Sequence, residues 1–147
     1  MTDEIPQPGV TGETTFTVAM AHTTHVFGNQ ERPPGLPAAT DASPEERVHV
    51  LGTPHLLARV EFVGRESVRG MIPPGTGVVG ERAEVTHRRA APVGTTVRVE
   101  TELVEVDGRS LVFEGNFVET ERDTLIGSAT AVLRIVDRRQ FRETLAD

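Results

Sequence analysis

The chain has 147 residues and a formal net charge of -7, a size that fits one ordinary domain and a charge that excludes nucleic acid or an anionic membrane as the main partner. It contains no Cys, which rules out a disulfide framework, a thiolate metal site and a Cys nucleophile, and which fits a reducing cytoplasm. The opening MTDEIPQPGVTGETT lacks the basic end and apolar stretch of a signal peptide, and no apolar run approaches the ~20 residues that span a bilayer, so a soluble, cytoplasmic protein is expected.

In chain order, residues 1–13 are polar and rich in Pro and Gly, and read as disordered or loosely attached. TTFTVAM, residues 14–20, alternates as a strand with Phe16 and Val18 on one face. From 27 to 44 the chain carries Pro33, Pro34, Pro37 and Pro44, which forbid regular structure; loops of this length are usually lids or binding loops. RVHVL, residues 47–51, suits a short strand. Gly52, Thr53 and Pro54 then signal a helix start, with Thr53 as N-cap and Pro54 in the first turn. The helix is expected to run to about Met71, with Leu57, Val60, Gly64, Val68 and Met71 on its apolar face, and Pro73 and Pro74 ending it.

Everything after it reads as antiparallel strands: 78–87, a turn at 91–94, then 95–106, 110–119 and 125–136. Asp107-Gly108 marks a hairpin, and Asp137 caps a short closing helix. One strand, one central helix and four further strands make an α+β order, a curved antiparallel sheet wrapped around one helix in a single domain spanning 14–147.

Three residues suggest chemistry. Glu61 falls near the middle of the expected apolar helix face, where it is either an edge residue paired with Arg65 or a partly desolvated carboxylate suited to acid/base or nucleophilic work. His87 shares a strand face with Val85 and Ala83 and so points inward, as a structural hydrogen-bonding residue or a catalyst. Helix capping accounts fully for Thr53, and relief of strand crowding accounts for Gly80. His49 and His55 flank Thr53 as pocket or surface residues. His22 and His25 have a spacing that suits a metal site only on a helix, and no third ligand stands near them, so no metal is expected. Arg88-Arg89 and Arg138-Arg139 are solvated charges unless a pocket mouth uses them to hold the phosphates of a nucleotide carrier. A Walker loop, a dinucleotide fingerprint and a Gly-x-Ser-x-Gly elbow are all missing.

At these residues the chain resembles the fluoroacetyl-CoA thioesterase branch of the hotdog thioesterases, from about Val50 to Phe141. The resemblance rests on GTPHLLARVEFVGRE, residues 52–66, and GVVGERAEVTHRRAAPVGTTV, residues 77–97, and is most specific in VTHRRAAPVG. ELVEVDGRSLVFE and LIGSATAVLRIVDRRQF extend it. It implies a hotdog fold, hydrolysis of acyl-CoA without metal or prosthetic group, and homodimers or larger assemblies with sites at the subunit interface. It assigns Thr53, Glu61 and His87 as the catalytic set, Glu61 as nucleophile or general base, and Gly80 beside the thioester carbonyl. His55 and Arg88 are the further substrate-binding candidates. The family's Gly-Thr-His-Glu-Arg on the last strand is replaced here by Ala129-Thr130-Ala131-Val132-Leu133, which motivates the alternative of a hotdog protein that binds an acyl-CoA without hydrolysing it. A direct cap at Thr53 would also leave it about 12 Å along the helix axis from Glu61, a gap to be bridged by an elongated substrate, a later helix start or a partner chain.

Overall fold

Along the second half of the chain, buried Val97, Val99, Thr101 and Leu103 alternate with the more exposed Arg98, Glu100 and Glu102, the period of two that gives a sheet one apolar face. In the computed structural model, which describes residues 5–25 and 48–146, four such strands follow a single long helix. The elements are β1 (Thr11–Thr17), a 3₁₀ turn (Met20–His22), β2 (Thr23–His25), β3 (His49–Leu51), α1 (Thr53–Ser67), β4 (Thr76–His87), β5 (Thr96–Asp107), β6 (Ser110–Glu119), β7 (Thr124–Asp137) and α2 (Arg138–Thr144). The five-stranded antiparallel sheet has the order β1-β5-β6-β7-β4, which makes β1 and β4 its edges, and β2 pairs with β3 in a small separate ribbon. This is the α+β arrangement expected. The Pro-rich stretch at 27–44 lies outside the described residues.

α1 lies on the apolar face of the sheet. Leu56, Val60, Val63 and Gly64 are its buried residues, and each large apolar side chain so removed from water contributes about 1.5–3 kcal/mol. Gly64 sits against the Phe113 ring and Val60 against Gly115, so the helix approaches β6 closely. The Asp107–Gly108 hairpin forms, with Asp107 opposite Ser110, and the Asp137 carboxylate accepts from the Gln140 N–H at 2.9 Å to cap α2.

Four details differ from the sequence expectation. Residues 5–13 are not loosely attached: β1 begins at Thr11, and Ile5 and Val10 pack on the core formed by Leu103, Leu111 and Phe113. The first strand is therefore 11–17, not 14–20, because Gly12 and Glu13 pair with Thr101 and Glu100 of β5. The helix ends at Ser67, and Met71 is 46% exposed. Its apolar stripe runs through Leu56 and Val63 instead of Leu57, which is only partly buried.

Candidate active site

Thr53 is the first residue of α1, not its cap. Gly52 holds the cap position and makes no side-chain bond to the helix. The Thr53 hydroxyl is thus released from capping, and it lies 2.9 Å from Nδ1 of His87. That bond runs in either direction, according to which imidazole nitrogen bears the proton. His87 Nε2 is buried and has no partner among the described residues. An unmet buried donor or acceptor costs about 1–3 kcal/mol, a deficit that a bound ligand group would relieve.

Glu61 lies two turns further along α1. It is not in the middle of the apolar face, because the stripe is rotated; its side chain is 36% exposed and accepts from Arg65 Nη2 at 3.0 Å. The edge position and Arg65 pairing therefore hold. Yet the carboxylate also presses on β4: a Cβ added to Gly80 would come within 2.6 Å of Glu61 Cδ. Only a residue without a side chain admits the carboxylate there. β4 bulges between Gly80 and Arg82, which bends the strand where Glu61 meets it.

The structure thus joins Thr53 to His87 and Glu61 to Gly80, but leaves the two pairs apart within one chain. Because the helix begins at Thr53, a later start does not close the gap, and eight residues of rise keep the pairs about 12 Å apart along the axis.

His55 turns away from Thr53. Its Nε2 accepts from Arg59 Nε at 2.9 Å, and its ring stacks on His22 with centroids 4.3 Å apart. His22 Nδ1 in turn accepts from the Ala19 N–H at 3.0 Å. Phe16 meets both imidazoles edge-on and carries the Arg59 guanidinium 4.2 Å from its ring centroid. Burial, then His22 and Arg59, lower the His55 pKa to about 4; burial and Arg59 also lower that of His22. His55, Ala58, Arg59, Glu61, Phe62 and Arg65 line a groove of about 480 Å³.

Other candidates fare differently. Arg88 is exposed, and its backbone N–H bonds to Ile126 O at 2.8 Å. Arg138 donates through Nε to Thr76 O at 2.7 Å. The backbone of His49 pairs in register with that of His25 in the β2–β3 ribbon. Among the described residues no group of three or more His, Cys, Asp or Glu is disposed to hold a metal ion, and no helix is long and apolar enough to cross a membrane. The sequence reading missed Arg59 and Phe16. The step of four from His55 to Arg59 signals one contact, but nothing local brings Phe16 and His22 to them.

The model of the fluoroacetyl-CoA-specific thioesterase family matches residues 37–139, a span that includes Thr53, Glu61, Gly80 and His87. The structure resembles that of the fluoroacetyl-CoA thioesterase FlK, with 25% identity, 95% of each chain covered and a TM-score of 0.76. A point mutant of FlK in complex with fluoroacetate and CoA matches at 25% identity and a TM-score of 0.73, over 92% of this chain and 99% of that one. A hot-dog-like protein from Thermanaerovibrio acidaminovorans shares the fold at 18% identity and a TM-score of 0.74, with 96% and 90% covered. No curated protein sequence matches.

Proposed function

Because the chain belongs to the fluoroacetyl-CoA-specific thioesterase family, and so is a thioester hydrolase with a hotdog fold, we infer that Thr53, Glu61 and His87 carry out its hydrolysis of an acyl-CoA. The observation that carries this reading is the Thr53 to His87 hydrogen bond, made by a threonine that the helix does not need as a cap. In the reaction a C–O bond forms at the thioester carbonyl and the C–S bond breaks. Glu61 either attacks the carbonyl itself, giving an acyl-enzyme anhydride that water opens, or takes the proton of an attacking water. His87 delivers a proton to the departing thiolate, and Thr53 orients the imidazole. Gly80 admits the carbonyl beside Glu61, and backbone N–H groups stabilise the oxyanion. No metal or cofactor takes part, and the protein works in the cytoplasm.

A second copy of the chain completes the site. Among the described residues β4 is an edge strand of twelve residues whose segment 80–84 is exposed, which leaves one side of its backbone ready for another strand. Antiparallel pairing of two such edges about a two-fold axis runs the strands in opposite directions. It carries the Glu61 and Gly80 end of one protomer toward the Thr53 and His87 end of its partner. In this dimer the 12 Å gap within one chain is no obstacle.

Release of free thiol from short, branched, aromatic and long acyl-CoA thioesters tests the activity. Turnover of at least one is expected. Calorimetric binding with no turnover of any would replace hydrolysis by carrier binding, the reading that the altered last strand at Ala129–Leu133 favours.

A further inference from the structure

Three arginines project from α1 and the turn that follows it, and among the described residues one of them has no counter-charge. Arg65 pairs with Glu61 at 3.0 Å and Arg69 with Glu66 at 3.2 Å. Arg59 is partly buried, yet among the described residues its company is His55, His22 and Phe16, with no carboxylate. A cation partly withdrawn from water without a counter-ion is costly. The two imidazoles do not add charge. Each accepts a hydrogen bond, His55 through Nε2 and His22 through Nδ1, so each bears its single proton on the other nitrogen and is neutral.

That pattern leaves donors in surplus. Arg59 spends Nε on His55 and keeps its two terminal nitrogens, the fork that grips a carboxylate or phosphate through two parallel bonds. Nδ1–H of His55, which lines the same groove, is a further donor. The Phe16 ring beneath the guanidinium and the His22–His55 stack fix the cluster in place, so little side-chain freedom is lost on binding. Arg59 and His55 line the same groove as Glu61 and Arg65.

We propose that Arg59, with His55, is an anion-recognition subsite of the groove that contains Glu61, and that it takes an oxyanion carried by the thioester substrate. Two parts of such a substrate supply that chemistry: a carboxylate at the far end of the acyl group, or a phosphate of the thiol carrier. The proposal rests on the thioesterase reading above.

The test compares wild type with Arg59→Met and with Arg59→Lys on three thioesters: a neutral acyl N-acetylcysteamine, its ω-carboxyacyl counterpart, and the neutral acyl-CoA. The expected result is that Arg59→Met lowers the ratio of kcat/KM for one charged thioester to that for the neutral one at least tenfold, mainly through KM, and that Arg59→Lys restores part of it. A fall with the carboxyacyl thioester identifies the acyl carboxylate; a fall with acyl-CoA identifies the phosphate. Unchanged ratios for both overturn the proposal. Should wild type cleave none of the three, the thioesterase reading fails and the subsite is judged by binding alone. A rise in Tm with glutarate or adenosine 3′,5′-bisphosphate that Arg59→Met abolishes then upholds it, and no rise with either overturns it.

Discussion

At the scale of single residues, the proposed site depends on side chains excused from structural duty. Thr53 stands one residue past the cap, so its hydroxyl is free for His87, and Gly80 is small enough for the Glu61 carboxylate to lie against β4. Gly80→Ala is therefore a sharp test of the site's geometry. The new Cβ would displace the carboxylate, and a misplacement of about 1 Å lowers turnover by about 10²-fold. Since the atoms the new Cβ meets are the end of the flexible, partly exposed Glu61 side chain, which can swing aside, Tm should change little; full kcat in the alanine variant would show that Glu61 need not approach Gly80. Much of this was legible beforehand, because Thr53, Glu61, Gly80 and His87 stand out in the sequence by type and by family pattern. What was not legible was their state. Capping preference alone assigns Thr53 to the helix, and only the chain path shows that Gly52 has taken that place.

At the scale of elements, the strands were easier to read than the helix. β5, β6 and β7 announce themselves by alternation, and the expected ranges differ from the observed ones by a residue or so at each end. β1 starts earlier than its apolar pattern because backbone pairing with β5 extends through Gly12 and Glu13, where no side chain signals it. The α1 stripe was misphased because Leu56 and Leu57 are adjacent and equally apolar, and only packing against the sheet selects Leu56. That packing is tight at β6. A Cβ at Gly115 would meet Val60 Cγ2 at 2.8 Å and Glu100 O at 3.2 Å. Gly115→Ala is expected to destabilise the protein by about 1–3 kcal/mol through overpacking, measured by chemical denaturation; an unchanged midpoint would mean that α1 can shift away from β6 without loss.

At the scale of the whole molecule, the proposed dimer rests on the exposed β4 edge and the separated half-sites. Mixing Thr53→Ala with Glu61→Ala protein, after dissociation and reassembly, should restore about a quarter of wild-type activity, because half of the random dimers hold one intact composite site of two. No recovery from the mixture would place all three residues in one chain. The His22–His55 stack gives the molecule a pH dependence of its own. The folded His55 pKa of about 4 lies below the ordinary histidine value of 6.5, so between these values the unfolded chain binds more protons, and stability is lost as pH falls through that window. His55→Gln, which keeps an acceptor for Arg59, should show a shallower fall in Tm from pH 7 to pH 4 than wild type. Identical slopes would remove His55 from the acid response. No local pattern signals this stack, since His22 and His55 meet only through the tertiary fold.

The most direct measurement is free-thiol release by Glu61→Gln beside wild type, on whichever acyl-CoA wild type turns over best. The substitution keeps the shape of the side chain and removes its charge, so kcat should fall by about 10²–10⁴-fold with Tm nearly unchanged. Turnover near the wild-type rate would contradict the central role of Glu61.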